Sequence, residues 1–293
     1  MPSVLITGTS KGIGFETALA FARAGHTVFA TMRSPSDSPE LGQIAASEHL
    51  PIHIFKMDVD SDSSVSSAIA AIRNDHGQID ILVNNAGIER AGSIEELSLS
   101  EFRASMETNY FGALRCIQAL IPEMRKRCGG CIINITSVAG ILSNPPLTAY
   151  SASKWALEAL SEGLACEMKP FNVRVAIIEP GIIDTSMARR LGNAASASIY
   201  PHLARFSAVF TASLKNPIPP SLVAQKILDV FESGTTQLRH LAGPDAAGLV
   251  NWRKQLSDEM WIELHGSDES AFFEGIQKAF APVAQSETEQ VEA

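Results

Sequence analysis

A phenol and an ammonium stand one helical turn apart in YSASK, where Tyr150 and Lys154 flank three small residues. Positions i and i+4 share a helix face, so the two side chains can interact. The chemistry such a pair offers is proton transfer. An unperturbed tyrosine, with a pKa of about 10, exchanges protons poorly near neutrality. An ammonium about 4 Å away, at an effective dielectric near 20, favours the phenolate by roughly 4 kcal/mol before screening and desolvation. The phenol is therefore expected to fall toward neutrality and to serve as general acid and base. Three tyrosines and nine lysines in 293 residues produce such a pair by chance in about one chain in ten, so the pair needs a context.

A second group of residues is suited to phosphate. TGTSKGIG, Thr7 to Gly14, follows the first apolar run and opens a helical pattern. Glycines at 8, 12 and 14 let the backbone turn tightly and approach a ligand, and a helix start offers free N–H groups with a positive dipole end. A pyrophosphate fits that arrangement, although a tight strand–helix turn also wants glycine. The end of the second apolar run, ATMRS, places Thr31 where an acid would take the ribose hydroxyls of NAD, with Arg33 just beyond and Lys11 inside the glycine turn. Two cations and no carboxylate favour a 2′-phosphate, hence NADP(H) over NAD(H).

The elements that must position these groups alternate. Strand patterns occur at 3–7, 27–31, 52–57, 80–84, 131–136, 173–178 and 237–241, with helical patterns near 13–24, 63–76, 101–127, 151–168 and 221–233. Apolar strands alternating with helices predict an α/β fold: a doubly wound, mostly parallel seven-stranded Rossmann sheet with helices on both faces. Residues 1–241 make the catalytic domain, in which 182–220 interrupt the alternation as a substrate lid at a strand's carboxyl end. Residues 242–293 form a C-terminal extension with Trp252, Trp261, Phe272 and Phe273, and its acidic end, AQSETEQVEA, is expected to be disordered.

Composition narrows the function classes. At 45% hydrophobic and 19% charged residues the chain can bury a sizeable core. A formal net charge of −9 argues against nucleic acid or anionic membranes as partners. No apolar run nears the roughly 18 residues of a membrane span, and MPSVLITG lacks signal-peptide features, so a cytoplasmic protein is expected. Cys128 and Cys131 form a C-x-x-C, but the two glycines between them read as a turn, and no second ligand pair suggests a metal. None of the seven histidines falls where the proton chemistry needs one, and all are read as structural or exposed.

Taken together, these motifs resemble the short-chain dehydrogenase/reductase family over roughly residues 3–241, and the VFATMRS run is similar to its steroid and retinoid reductases. The resemblance implies a cofactor site at Gly8, Ser10, Lys11, Gly12, Ile13 and Gly14, with Arg33 beyond the second strand. It adds Asp58 and Val59 of MDVD, Asn85, Ala86 and Gly87 of NNAG, and Pro180, Gly181, Ile183 and Thr185 of PGIIDT. It implies a catalytic set of Asn109, Ser137, Tyr150 and Lys154. Tyr150 would exchange the proton, Lys154 would also hold the nicotinamide ribose, Ser137 would bond the substrate oxygen, and Asn109, mid-helix, would hold a water. Besides Ser137 and Tyr150, Leu142, Leu147, Met187, Leu191, Phe206 and Phe210 are candidate substrate-lining residues, or else they pack the core. A bulky apolar ketone, aldehyde or alcohol is the expected substrate. Family resemblance of the helices at 101–127 and 151–168 implies a homodimer or homotetramer. The extension would block a tetramer interface or cover the substrate mouth. Two other functions remain open: a nucleotide-sugar epimerase or dehydratase, which also uses Tyr-x-x-x-Lys, and a non-catalytic NADP(H)-binding sensor.

Overall fold

A computed structural model describes residues 1–193 and 198–279. The residues of AQSETEQVEA lie outside the described residues. Seven strands form one sheet: β1 (Ser3–Thr7), β2 (Thr27–Met32), β3 (Ile52–Lys56), β4 (Ile81–Asn84), β5 (Gly130–Ile135), β6 (Val173–Pro180) and β7 (Arg239–Ala242). Their order is β3-β2-β1-β4-β5-β6-β7, and every pairing is parallel. The order reverses between β1 and β4, so a crevice opens at their carboxyl ends, where ligands bind in such sheets.

Side chains alternate across each strand and feed two cores. On one face Val4, Ile6, Val28 and Ala30 pack with Phe21 and Ile227, carried by helices α1 (Gly12–Arg23) and α9 (Pro220–Glu232). On the other, Leu5, Phe29 and Leu82 meet Ile72, Leu120 and Leu164, from α3 (Asp62–His76), α5 (Gly112–Lys126) and α6 (Thr148–Met168). Each fully buried side chain of this kind contributes about 1.5–3 kcal/mol. The sheet is thereby held rigid beneath the crevice.

The structure adds elements beyond the expected alternation. Between β2 and β3, where the sequence pattern predicts no helix, lies the short α2 (Glu40–Ser47), whose Leu41 joins the first core. The expected helix at 101–127 is α4 (Leu99–Met106), a π-helical turn at Glu107–Phe111, and α5. The lid segment holds two helices, α7 (Ser186–Gly192) and α8 (His202–Ser213). The extension folds as α10 (Ala246–Gln255), α11 (Asp258–Gly266) and α12 (Glu269–Ala279). Trp252 and Trp261, with ring centroids 5.3 Å apart, join Leu249 and Val250 in a third core that includes Val138 and Leu142, the residues following β5. Buried aromatic pairs add about 0.5–1.5 kcal/mol beyond their area. The extension is thus seated on the carboxyl end of the sheet.

Candidate active site

The glycine turn is built by its contacts. Gly8 adopts φ +72°, a left-handed backbone that glycine alone adopts without strain, and a Cβ there would lie 2.8 Å from Ala86 Cα. Asn85 secures the turn by donating from Nδ2 to the carbonyls of Thr7 at 2.9 Å and Gly8 at 3.0 Å. The NNAG motif therefore ties β4 to the turn after β1. Its first asparagine, Asn84, donates to Asn134 of β5, and Asn134 donates to Ser161 of α6 at 2.8 Å, so a buried polar chain fixes that helix to the sheet.

A single cavity of about 360 Å³ runs from this turn to the lid and the extension. Of the expected cofactor residues, Gly8, Ser10, Lys11, Gly12, Ile13, Arg33, Asp58, Val59, Asn85, Ala86 and Gly87 line it, as do Pro180, Gly181, Ile183 and Thr185. Gly14 does not. A Cβ at Gly14 would sit 2.5 Å from the Gly8 carbonyl and against Asn85, so this glycine lets the helix close on the turn. Thr31 also needs correction. It is 1% exposed and its hydroxyl donates to the Ile6 carbonyl, so the cavity wall at the end of β2 belongs to Met32 and Arg33. A bare, glycine-lined turn at a helix start, with Lys11 and Arg33 on its rim, fits a dinucleotide phosphate.

Ser137, Tyr150 and Lys154 line the same cavity. Their electrostatics differ from the expectation. Burial pushes the Tyr150 phenol up to about 12; the Ser137 hydroxyl pulls it down only in part, and Glu89 raises it further. Lys154 is 4% exposed and burial pushes it down to about 8. Its Nζ lies 5.6 Å from the Tyr150 ring centroid but donates to the Ile135 carbonyl at 2.8 Å. Desolvation is therefore the largest influence on the phenol. The helical spacing was right; the sign of the shift was not.

Asn109 lies in the π-helical turn, is 1% exposed, and does not line the cavity. Its Nδ2 donates to the Ile88 carbonyl at 2.9 Å and to Ser153 Oγ at 2.8 Å, while Oδ1 accepts from the Ile88 N–H at 2.8 Å. The side chain is committed to protein partners and pins the segment after β4 against α6. Gly87 permits this, since a Cβ there would lie 3.2 Å from Asn109 Oδ1 and 3.7 Å from Lys154 Nζ.

All six candidate apolar residues, Leu142, Leu147, Met187, Leu191, Phe206 and Phe210, line the cavity. So do five residues of the extension that sequence reasoning did not single out for the site: Leu249, Trp252, His265, Phe272 and Ile276. Of these, Trp252 and Phe272 carry the one available signal, large aromatics past the last strand. Among the histidines, His265 lines the cavity while buried at 8% exposure, with its Nδ1 paired to the Trp261 carbonyl at 2.9 Å.

Comparison with known proteins agrees with this geometry. The family model described as short chain dehydrogenase matches residues 2–196. This chain belongs to the short-chain dehydrogenase/reductase family. It is 38% identical to 3-ketodihydrosphingosine reductase of Bacteroides thetaiotaomicron over 62% of its length and 37% identical to retinol dehydrogenase 8 of Homo sapiens over 68%. Those alignments span 64% of each relative. A crystal structure of a short-chain dehydrogenase from Streptomyces avermitilis is 33% identical, with a TM-score of 0.75, covering 90% of this chain and 95% of that one. The family is one of oxidoreductases, and a short chain dehydrogenase/reductase from Burkholderia phymatum that shares the fold, with a TM-score of 0.76 at 20% identity, was solved in complex with NAD. Among the described residues no helix is long and apolar enough to cross a membrane.

Proposed function

We propose that this short-chain dehydrogenase is an NADP(H)-dependent oxidoreductase that interconverts an apolar carbonyl compound and its alcohol. One observation carries the reading: Ser137, Tyr150 and Lys154 open onto the same cavity as the glycine turn, Arg33 and the Pro180–Thr185 segment. The cofactor, when bound, supplies or takes up the hydride. The chain's own residues handle the proton and the fit.

In reduction, the Tyr150 hydroxyl gives its proton to the carbonyl oxygen. A phenol held up at about 12 is protonated at neutral pH, so it holds the proton that reduction consumes. Ser137 Oγ accepts from the Ala139 N–H at 3.1 Å and donates to the Pro180 carbonyl at 3.4 Å, a long bond that its proton can exchange for one to the substrate oxygen. Lys154 remains an ammonium below about pH 8 and holds the ribose hydroxyls. Asn109 serves by position, its amide committed to Ile88 and Ser153.

Arg33 and Lys11 on the cavity rim support the phosphorylated cofactor. The apolar lid and extension residues support a bulky apolar substrate, in keeping with the names of the reductase and the retinol dehydrogenase it resembles. Phe111 and Trp155, 43% and 50% exposed on the expected pairing helices, support a homodimer. The test follows NADPH absorbance with a panel of ketones and aldehydes in wild type and Tyr150→Phe. Apolar ketones should turn over in wild type, and the variant should lose about 10²–10⁴-fold in kcat. Full activity in Tyr150→Phe, or a clear preference for small polar ketones, refutes the reading.

A further inference from the structure

Beside the Tyr150–Lys154 couple, outside the cavity lining, lies a cluster of charge with two buried carboxylates. Glu158 stands one turn past Lys154 on α6 and is 6% exposed; Glu179, on β6 just before Pro180, is 1% exposed. Arg239 of β7 reaches both, with Nε 3.0 Å from Glu158 Oε2 and 3.7 Å from Glu179 Oε1, and its second arm meets Glu162 at 2.8 Å. Glu158 Oε1 and Glu179 Oε1 have no hydrogen-bond partner among the described residues. Glu158 is packed in place: a Cβ on Gly140 would lie 3.0 Å from its Cγ.

The charges add up in a particular way. Lys154 is buried with only a neutral carbonyl as acceptor, and an isolated ammonium there is costly. No carboxylate lies within ion-pair distance of it among the described residues, so compensation must act over a longer path. Glu158 is the carboxylate on its own helix face, one turn away. Arg239 does not cancel that charge, because it is divided among three carboxylates. Burial pushes Glu179 up to about 7; it also raises Glu158, which the Thr136 hydroxyl and the Arg239 guanidinium draw back down. The remaining groups facing the pair are the Ile135 carbonyl, Thr136, Gly87 and Asn109. Lys254 acts on Glu179, and Glu89 acts on the phenol.

We propose that Glu158 is a positioning residue for the catalytic lysine: its buried carboxylate, anchored by Arg239 and coupled to Glu179, supplies the counter-charge that keeps Lys154 an ammonium at working pH. The proposal rests on the catalytic reading of Tyr150 and Lys154. Its sign is fixed. Burial lowers the lysine pKa and Glu158 raises it, so removing the carboxylate must make Lys154 lose its proton at lower pH.

The experiment measures the NADPH dissociation constant by cofactor fluorescence, and kcat/KM for ketone reduction, between about pH 5 and 10. The proteins are wild type, Glu158→Gln, Glu158→Asp and Glu162→Gln. The alkaline limb of both profiles should move about one unit lower in Glu158→Gln and return toward wild type in Glu158→Asp. Glu162→Gln, whose side chain is 62% exposed, should leave the limb in place. Should the glutamine variant fail to fold, Glu158→Met, apolar and of similar length, must show the same displacement. A folded Glu158→Gln or Glu158→Met with an unmoved limb overturns the proposal, as does an equal displacement in Glu162→Gln. Retained turnover in Tyr150→Phe would instead sink the catalytic reading, so the two failures are separable.

Discussion

Asp245 joins the C-terminal extension to the cavity wall, and its removal should weaken cofactor binding. Its Oδ2 accepts from the Ile182 N–H at 2.7 Å, and a Cβ on Gly181 would lie 2.5 Å from the same oxygen. Gly181 also donates to the Ala242 carbonyl at 2.9 Å, so the segment after β6 is held twice to the end of β7. Pro180, Gly181, Ile182 and Ile183 line the cavity where the family's nicotinamide contact is expected. Burial raises the pKa of Asp245, and N–H groups including that of Ile182 draw it back down. Asp245→Ala removes a hydrogen bond to a charged group, worth about 1.5–3 kcal/mol when buried, and leaves a backbone N–H unpaired. Partial exposure reduces this to about 1–2 kcal/mol. If the segment must hold its shape to bind cofactor, the NADPH dissociation constant rises about 5–30-fold. Asp245→Asn keeps an acceptor for Ile182 and should change it by less than about threefold. Fluorescence titration reads the constants, and thermal melting separates local from global damage. An Asp245→Ala protein that melts lower yet binds NADPH as wild type does would refute the coupling, and so would an Asn variant as weak as Ala.

Arg33→Ala should cost about tenfold in the NADPH-to-NADH selectivity ratio, measured as kcat/KM for each cofactor, because a cation on the cavity rim is lost for a phosphate. Trp252→Ala should raise KM for bulky apolar ketones more than for small ones and lower the melting temperature, since the indole both lines the cavity and packs on Trp261. Glu179 binds its proton more tightly folded, at about 7, than at its ordinary 4.5, so its contribution to stability is lost as pH rises between those values. Melting curves from about pH 4 to 8 should show that loss in wild type and a flatter dependence in Glu179→Gln.

What could be read along the chain was whatever depends on neighbours in sequence. The strands follow from short apolar runs, and the all-parallel sheet follows from their alternation with helices. Tyr150 and Lys154 share a face because four residues make about one helical turn. The glycine turn carries its own geometry in Gly8 and Gly12, which both need positive φ. Even the inward set of Thr31 follows from period-two alternation, which puts it on the Phe29 side of β2.

Tertiary structure decided everything that depends on what surrounds a group. The spacing of Tyr150 and Lys154 predicts a lowered phenol, but desolvation is set by the walls around the pair, and it wins. Asn109 looks like a residue free to hold water until Ile88 and Ser153 are seen to occupy its amide. His265, Trp252 and Asp245 reach the site from more than 90 residues beyond Tyr150, and Glu158 becomes a candidate counter-charge only when β6 and β7 bring Glu179 and Arg239 alongside it. Local spacing specifies which groups are near one another; the energy of each depends on water excluded by residues that only the fold brings close.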